Sequence, residues 1–252
     1  MMTMHTYSSD FYEFLAHSSG KSARKFMEII SPSLNARSVL DVGCGQGAWL
    51  AAWLSHGATE VTGLDGAYVD KNALEISADD FHATDLSKSF NLNRRYDLVQ
   101  CLEVAEHIQA SCAETLVASL ARHGDIILFS AATPGQGGEH HVNEQPLEYW
   151  AAHFARLGFR AFDFVRPKIR NVNDIEPWYR YNTIIYANST GVKNLKPEII
   201  DCEIPPDTGF PRTASWKWIV RCKTTRMIPF SVINLIARLK HAWIIRKRPC
   251  RH

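Results

Sequence analysis

Apolar and polar residues alternate along most of the chain in short blocks, and these blocks predict strands and helices in turn. Short apolar runs predict seven strands, near residues 39–43, 60–65, 80–85, 96–102, 125–130, 159–165 and 182–188. Apolar residues at helical spacing predict helices near residues 21–34, 47–56, 69–76, 111–122 and 146–157. Strands that alternate with helices at short intervals indicate parallel βαβ units. The pattern therefore predicts an α/β fold around a mostly parallel sheet.

The alternation stops near Asn188. Residues 189–211 are rich in proline and polar residues, which predicts a linker or a long loop. Residues 227–247 carry apolar side chains at helical spacing, with basic residues on the other side, and predict an amphipathic helix. We therefore divide the chain into a domain over residues 1–188 and a linker with a basic amphipathic C-terminal extension over residues 189–252.

The formal net charge of the 252 residues is +2, but the charges are unevenly distributed. No acidic residue follows Asp207, while eleven lysines and arginines do, and the residues up to that point carry a net charge of −9. Such asymmetry is typical of a basic tail with an anionic partner. The tail helix is interpreted either as a helix packed on the sheet or as an interfacial helix on an anionic membrane.

The composition is that of a globular protein, since 46% of the residues are apolar and 21% are charged. The six cysteines contain no CxxC pair, which argues against a zinc ribbon and fits a reducing compartment. The sequence contains neither a secretory signal pattern nor an uninterrupted apolar stretch of about 20 residues. We expect a cytoplasmic protein, with the inner face of the membrane as its second location if the basic tail binds lipid.

The first predicted strand leads into a glycine-rich turn. Asp41 stands near the end of the strand, Gly43, Gly45 and Gly47 follow at alternate positions, and a helical segment comes next. Glycine is needed where the backbone takes a positive φ or approaches a ligand closely. The spacing is GxGxG rather than the GxGxxG of dinucleotide-binding folds. In this strand–turn–helix context, the turn predicts a ligand site.

The next three predicted strands also end in acidic residues, which are Asp65, Asp85 and Glu103. Each of these residues alone could cap a helix. In open parallel sheets, however, ligands bind at the carboxyl ends of the strands, and Asp65 stands where Rossmann-like folds place the carboxylate that binds ribose hydroxyls. The succession of acids therefore strengthens the prediction of a site at this edge.

Two segments carry residues suited to proton transfer. After the fourth predicted strand, Glu103, Glu106 and His107 share one face if a helical turn begins there. After the fifth, a loop over residues 132–146 combines a glycine run with polar side chains that include His141. His141 alone would be interpreted as an exposed loop histidine, but the nearby motif makes both histidines candidates for chemistry.

These motifs resemble a bacterial family of class I S-adenosylmethionine (SAM) methyltransferases, often associated with surface-polysaccharide genes and similar to ubiquinone-pathway O-methyltransferases. The matching segments are residues 20–24, 39–50, 130–138, 141–146, 149–150, 166–169 and 176–183, and the most specific one reads PGQGG followed by HVNEQP. His140 departs from the pattern, since a glycine is expected there. The resemblance extends over residues 8–188. It implies a Rossmann-like seven-stranded sheet with helices on both faces and an antiparallel last strand.

The resemblance also implies roles for individual residues. Residues at the strand ends and in the glycine turn would bind SAM: Arg24, Asp41, Gly43, Gly45, Gly47, Asp65, Asp85, Leu86 and Glu103. Arg24 would reach the methionine carboxylate, as an arginine of the N-terminal helix does in ubiquinone-pathway O-methyltransferases; otherwise it is a surface charge. Residues of the later motifs would contact the acceptor: Gln136, Asn143, Gln145, Trp178 and Tyr179.

The cofactor determines the expected chemistry. SAM carries an electrophilic methyl group, and a hydroxyl acceptor has to lose its proton to a base, for which His107 and His141 are the candidates. In a second interpretation, Glu103, Glu106, His107 and His141 resemble the metal site of small-RNA 2′-O-methyltransferases and would hold Mg²⁺, Mn²⁺ or Zn²⁺. Without a metal, the two glutamates would serve as a cofactor contact and a helix cap.

The expected function is O-methylation of a small molecule such as a sugar, a glycolipid or a related metabolite. A short-chain dehydrogenase is disfavoured because no tyrosine has a lysine four residues later. The segment 103–107 replaces the Pro-Pro-Tyr-type motif of many N-methyltransferases, which favours an oxygen acceptor. The acidic body disfavours nucleic acid. Metal-assisted 2′-O-methylation of RNA and non-catalytic SAM binding are the alternatives.

Overall fold

The structure is a computed structural model that describes residues 9–206, residues 208–228 and Val232. In the described part of the chain, the strands β1 to β8 are Ser38–Val42, Glu60–Asp65, Phe81–Ala83, Leu98–Leu102, Ile126–Ser130, Arg160–Phe162, Ile184–Ala187 and Glu203–Ile204. The α-helices α1 to α9 are Ser9–Ile30, Ala48–Ser55, Ala113–His123, Leu147–Arg156, Val165–Ile169, Pro177–Asn182, Ser189–Val192, Pro197–Ile200 and Trp216–Thr225.

All eight strands form one sheet, in the order β3-β2-β1-β4-β5-β7-β6-β8. Strands β1 to β5 are all parallel to one another. Strand β7 lies between β5 and β6 and runs antiparallel to both. The predicted α/β class is confirmed, and the seventh strand has the expected antiparallel direction. The chain order reverses between β1 and β4, and open α/β sheets bind ligands at the carboxyl ends of strands beside such a reversal.

The helices cover both faces of the sheet and bury apolar side chains against it. On one face, α1 and α2 bury side chains such as Phe26 and Trp53. On the other, α3 and α4 bury side chains such as Leu116 and Trp150. Full burial of each large apolar side chain stabilises the fold by about 1.5 to 3 kcal/mol.

One predicted helix does not form. Residues 69–76 contain only a 3₁₀ turn over Lys71–Ala73, which the Asp70 carboxylate caps. The Glu75 N–H donates to the Gln46 carbonyl at 2.8 Å, and this contact ties the segment to the neighbouring glycine turn. Tertiary contacts thus override the apolar spacing, which on its own is only a weak determinant of helix formation.

The sheet has one strand more than the seven predicted, because β8 pairs antiparallel with β6. This strand lies in the segment interpreted as a linker, where α7 and α8 also form. A strand of two residues is too short to show an alternating pattern. The division of the chain at residue 188 stays a prediction, although the chain beyond it extends the sheet.

The last described helix, α9, was not predicted from the sequence. Its signal is Ser215, whose hydroxyl accepts from the Trp218 N–H and caps the helix. The amphipathic helix predicted over residues 227–247 lies outside the described residues, except for 227, 228 and 232. Among the helices that the structure describes, none combines the length and the apolar character that a membrane span requires.

Candidate active site

The glycine turn, residues 43–47, connects β1 to α2 at the edge where the strands end. Gly43, Gly45 and Gly47 have φ angles of 87°, 54° and 85°, in the left-handed region that favours glycine. A Cβ on Gly43 would lie 2.2 Å from the Val104 side chain. The turn therefore packs directly against the segment that follows β4, and this contact requires glycine.

Asp65, the last residue of β2, holds the glycine turn in place. Its carboxylate accepts from the Gly45 N–H at 2.7 Å, from the Gly66 N–H at 2.6 Å and from the Tyr68 hydroxyl at 2.5 Å. Burial raises the pKa of Asp65, while these donors act in the opposite direction. Beyond its chain neighbours, no described atom lies within 4 Å of the point where Gly45 would carry a Cβ. The turn thus borders open space beside a buried carboxylate.

Asp41 lies beneath the turn, with 2% of its surface exposed. Its Oδ2 has no hydrogen-bond partner among the described residues. Burial raises the pKa of Asp41 to about 7, and the nearby Asp65 charge adds to this effect. A buried carboxyl group with an unused oxygen favours a cationic or N–H-bearing ligand at this edge.

Asp85 follows β3 and has an exposed side chain. Its carboxylate accepts from the Ser87 N–H and hydroxyl and pairs with Lys88 at 3.0 Å. The Ser87 hydroxyl is the main cause that lowers the pKa of Asp85. Asp85 therefore caps the local turn, the role that a lone acid after a strand commonly takes. Its contact with a cofactor stays a prediction, as does that of the half-buried Leu86.

Arg24 projects from α1 on the side of the glycine turn. Its Nη1 lies 3.4 Å from the point where a Cβ on Gly20 would sit, and the same point is 3.9 Å from the Cβ of Ala48. Ala48 is the first residue of α2 and directly follows the glycine turn. The structure thus places the exposed guanidinium near the start of α2, where a carboxylate ligand would benefit from its charge.

Glu103 follows β4 with a φ of 56° and ties three segments together. Its N–H donates to the Ser130 carbonyl at 3.0 Å. Its carboxylate accepts from Gln136 Nε2 at 2.7 Å and from Asn182 Nδ2 at 3.3 Å, and Asn182 also donates to Gln136 Oε1 at 2.8 Å. Burial raises the pKa of Glu103, which these amide donors partly counteract. This network anchors the histidine loop, residues 132–146.

A second polar cluster follows Glu103 at once. Glu106, His107 and His141 each place one potential ligand atom within 4.8 Å of the others. The two imidazole rings meet edge-on with centroids 5.0 Å apart. The Val142 and Asn143 N–H groups donate to the Glu106 carbonyl at 2.8 and 3.0 Å. These backbone bonds dock the histidine loop beside the segment that contacts the glycine turn.

The two imidazoles are held in the same manner. Nδ1 of His141 lies 2.9 Å from the Glu144 carboxylate, and Nδ1 of His107 lies 3.3 Å from the His140 carbonyl. The tautomer assigned from these acceptors has Nδ1 donating, which leaves Nε2 of each ring as an acceptor for a proton or a metal. Desolvation lowers the pKa of His107, and the neighbouring His141 adds to this effect.

Glu106 is buried, with 1% of its surface exposed, and its Oε2 has no partner among the described residues. Burial and the adjacent Glu103 raise its pKa well above the ordinary value. Of the four predicted metal ligands, the structure groups Glu106, His107 and His141, while Glu103 is bound by amide donors. A divalent cation would give the unpartnered Glu106 oxygen a partner, so the three donors fit such an ion.

The comparison with known proteins identifies the family. A family model described as a methyltransferase domain matches residues 7–164. The chain belongs to this family. The open space at Gly45, the Asp65 carboxylate and the unpartnered Asp41 oxygen fit the SAM cofactor of such methyltransferases.

Individual relatives differ in their acceptors. The chain is 32% identical over 184 residues to a ubiquinone biosynthesis O-methyltransferase of Alkalilimnicola ehrlichii, across 63% of this chain and 65% of that protein. It is 34% identical over 133 residues to a ribosomal protein L11 methyltransferase of Xanthomonas oryzae, across 51% and 40%. The chain thus spans less than two thirds of the length of either relative.

A solved structure shows the same fold. The sugar N-methyltransferase KedS8 from Streptoalloteichus sp. superposes with a TM-score of 0.55 at 18% identity, across 75% of this chain and 95% of that chain. At this identity the likeness concerns the fold alone. Because these three relatives are named for different acceptors, membership of the family does not identify an acceptor for this chain, which has to be argued from its own residues.

Of the predicted acceptor residues, Gln136, Asn143 and Gln145 belong to the histidine loop, and Trp178 and Tyr179 belong to α6. Several of them already have protein partners. Asn143 accepts from Gln145 Nε2 at 3.0 Å. Tyr179 packs edge-on against Trp49 at 4.9 Å in the core, and burial raises its pKa to about 12. Trp178 is half-buried beside it. Their contact with an acceptor stays a prediction.

Glu144 is a residue of this site that the sequence motifs did not predict. Its carboxylate accepts from the Gly135 and Gly137 N–H groups, both at 2.7 Å, as well as from His141. Burial opposes ionisation, but the His141 and backbone hydrogen bonds lower the pKa of Glu144. Glu144 therefore fixes the backbone at Gly135 and Gly137 and also orients the His141 ring. The three-residue spacing to His141 was the available signal.

Helix α9 also contributes to the site. Nη1 of Arg221 donates to the Gln136 carbonyl at 2.7 Å. A Cβ on Gly135 would lie 2.2 Å from the Cys222 carbonyl. The helix thus packs closely on the histidine loop, although it lies outside the matched family region. No local motif connects these segments, which are far apart in the chain.

Proposed function

We propose that this methyltransferase transfers the methyl group of SAM to a hydroxyl of a small molecule such as a sugar, a glycolipid or a related metabolite. The observation that carries the proposal is the position of the His107–His141 pair, one segment away from the glycine turn. The backbone of the glycine turn therefore lies next to the two histidine side chains that can accept a proton. An oxygen acceptor needs both, because its nucleophile has to be positioned and deprotonated.

The cofactor, when bound, supplies an activated methyl group. Asp65 would hold the ribose hydroxyls, in place of the Tyr68 hydroxyl that now donates to it. Asp41 and the glycine turn would face the rest of the cofactor, and Arg24 would pair with its carboxylate. Because Asp41 and Asp65 are buried beside the turn, a cationic ligand would favour their ionised forms.

His141 is the base in this proposal, and Glu144 is its positioning residue. The Glu144 carboxylate accepts from Nδ1, which orients the ring, keeps Nε2 free and stabilises the imidazolium that forms when Nε2 takes the acceptor proton. His141 is also held by the docking of the loop onto the Glu106 carbonyl. Gly138 leaves room for the ring, since a Cβ there would lie 2.1 Å from Nε2.

The test combines SAM titration with a panel of acceptors and methyl-labelled SAM. We expect His141→Ala to lower turnover by about 10² to 10⁴-fold, the range for a lost general base, while SAM affinity is retained. His56→Ala, an exposed histidine at the end of α2, is the matched control. Glu144→Gln should lower turnover and shift its pH profile. Unchanged turnover in His141→Ala would remove His141 from the mechanism.

A metal-assisted form of the reaction is the second candidate, because Glu106, His107 and His141 offer three donors with both Nδ1 atoms already engaged. The metal would hold the acceptor hydroxyls and lower their pKa, and RNA with a free 2′-hydroxyl would be one such acceptor. Activity that survives exhaustive chelation would exclude this form. Restoration by Mg²⁺, Mn²⁺ or Zn²⁺ would support it. SAM binding without product on any acceptor would instead favour a non-catalytic protein.

Contact with a membrane through the basic C-terminal segment is a further part of the proposal. Its support is the charge pattern, since every charged residue after Asp207 is basic. The test is sedimentation of the full-length protein with anionic and with neutral liposomes. Equal sedimentation in both would contradict the proposal, because the attraction depends on the negative surface potential.

A further inference from the structure

A cavity of about 230 Å³ lies between α6 and α9. Arg180 and Tyr181 of α6 line one side, and Lys217, Trp218 and Arg221 of α9 line the other. Sites that hold a whole drug-sized ligand measure about 300 to 1,000 Å³. This cavity therefore has the size for one group of a larger molecule.

The charge in the cavity is positive throughout, because three of its lining residues are cationic and none is acidic. Arg180 donates to the Arg170 carbonyl at 3.1 Å and Arg221 to the Gln136 carbonyl at 2.7 Å, so neither contact neutralises the charge. Nε of Arg180 is buried and has no partner among the described residues. Three cations around one cavity, with no acidic residue among its described lining residues, favour an anionic ligand.

Two aromatic rings provide the apolar part of the wall. The Tyr181 and Trp218 rings lie with centroids 5.7 Å apart, and the Arg221 guanidinium is 4.7 Å from the Trp218 ring. Flat aromatic faces next to cations suit a sugar or base ring attached to an anion. Arginine guanidinium groups match the oxygens of phosphate and of carboxylate in a bidentate manner, and three cations around one cavity suit the higher negative charge of a phosphate.

The cavity is coupled to the candidate active site by a short chain of contacts. Arg221 contacts the backbone of Gln136, and the Gln136 side chain donates to Glu103. Tyr181 is followed in α6 by Asn182, which donates to both Gln136 and Glu103. A group bound in the cavity therefore lies one layer of residues away from the end of β4.

We propose that this cavity binds the phosphate or diphosphate group of the acceptor, with the attached ring against Tyr181 and Trp218. The proposal rests on the proposed function and specifies its substrate class: a phosphorylated or diphosphate-linked sugar. A nucleoside diphosphate and a lipid diphosphate present the same chemistry to the cations, so the anion is the recognised feature and the experiment distinguishes its source.

The test is calorimetric titration of the full-length protein with inorganic pyrophosphate. We expect saturable binding of one equivalent, and we expect Lys217→Glu to weaken it by about ten- to a hundredfold, as for a lost charged hydrogen bond. Lys223→Glu is the matched control, because Lys223 is an exposed lysine of the same helix that does not line the cavity. The Lys223 variant should bind pyrophosphate with an affinity within about twofold of the wild type, since Lys223 does not line the cavity.

Two results would overturn the proposal: no saturable binding at millimolar pyrophosphate, or equal weakening in the Lys217 and Lys223 variants. The protein is also titrated with UDP and with farnesyl diphosphate. Tighter binding of UDP than of pyrophosphate identifies a nucleotide-linked acceptor, and tighter binding of farnesyl diphosphate identifies a lipid-linked one. A parallel SAM titration separates this proposal from the proposed function. If the protein binds pyrophosphate but does not bind SAM, the proposed function is contradicted while anion binding in the cavity stands.

Discussion

The glycine turn and the cavity between α6 and α9 lie on two sides of the histidine loop, and they are built differently. Backbone contacts determine the shape of the turn. The Gly45 N–H donates to Asp65, and Val104 packs against Gly43 because Gly43 has no side chain. The cavity is set by long side chains from segments far apart in the chain, such as Arg180 and Lys217. Rigid backbone fits a constant cofactor, whereas side chains can vary with the acceptor.

The two regions also differ in their ionisable groups. Asp41 and Asp65 are buried carboxyl groups beside the turn, and a cation such as the SAM sulfonium would favour their ionised forms. The cavity is lined by Arg180, Lys217 and Arg221 without any acid, and it favours an anion. A site with opposite fields on its two sides would sort a cationic cofactor from an anionic acceptor before either is in contact.

The largest expected effect concerns the buried Asp41 carboxyl. Its folded-state pKa of about 7 lies above the ordinary 3.8, so its stabilising contribution is fully present below pH 3.8 and is lost as the pH rises through 7. Each pH unit in this window changes the contribution by about 1.4 kcal/mol, and the whole loss is about 4 kcal/mol. Denaturant unfolding of the wild type and of Asp41→Asn between pH 4 and 8 measures it.

Subtracting the two curves isolates Asp41 from the other titrating groups, because these are present in both proteins. The advantage of the Asn variant should grow with pH up to about 7 and then level off. A constant difference across the range would show that Asp41 titrates normally, and the electrostatic contrast between the two regions would lose its main support.

The second prediction concerns the backbone of the turn. Gly43→Ala should lower the free energy of unfolding by about 3 kcal/mol, because a Cβ at positive φ is strained and would also overlap Val104. Gly57→Ala is the control, since Gly57 has a φ of 104° with nothing within 4 Å of its Cβ position. It should cost only about 1 kcal/mol, from φ alone. Equal losses in denaturant unfolding would contradict close packing at Gly43.

The difference in construction also explains what the sequence could predict. Gly43, Gly45, Gly47 and Asp65 follow from local spacing, because a strand, a turn and a helix are consecutive in the chain. The segment 69–76 was predicted wrongly because its contacts with the turn outweigh its apolar periodicity.

On the other side of the histidine loop, local patterns carry less information. The Arg221–Gln136 contact joins residues 85 positions apart, and no spacing rule relates them. The Glu144–His141 pair is local, at three residues, but its meaning depends on the folded loop, where Glu144 also binds two glycine N–H groups. The cap at Ser215 was visible in the sequence, and weighing it would have predicted α9.

The third prediction separates the two acids expected to bind the cofactor. Asp65→Asn should weaken SAM binding by about ten- to a hundredfold, because charged hydrogen bonds to the ribose hydroxyls are worth about 1.5 to 3 kcal/mol. Asp85→Asn should have a smaller effect, since the Asp85 carboxylate is exposed and occupied by Ser87 and Lys88. Calorimetric titration with SAM measures both. A larger loss in Asp85→Asn would reverse their assigned roles.

The smallest expected effect tests whether α9 is stabilised independently of the glycine turn. Ser215→Ala removes the hydroxyl that accepts from the Trp218 N–H and should destabilise the helix by about 1 kcal/mol. Amide exchange in α9 should then accelerate by about fivefold, while exchange in β1 and SAM affinity stay unchanged, because local opening is confined to the weakened unit. Accelerated exchange in β1 as well would mean that the two regions unfold together, and that the cavity between α6 and α9 is not stabilised independently of the glycine turn.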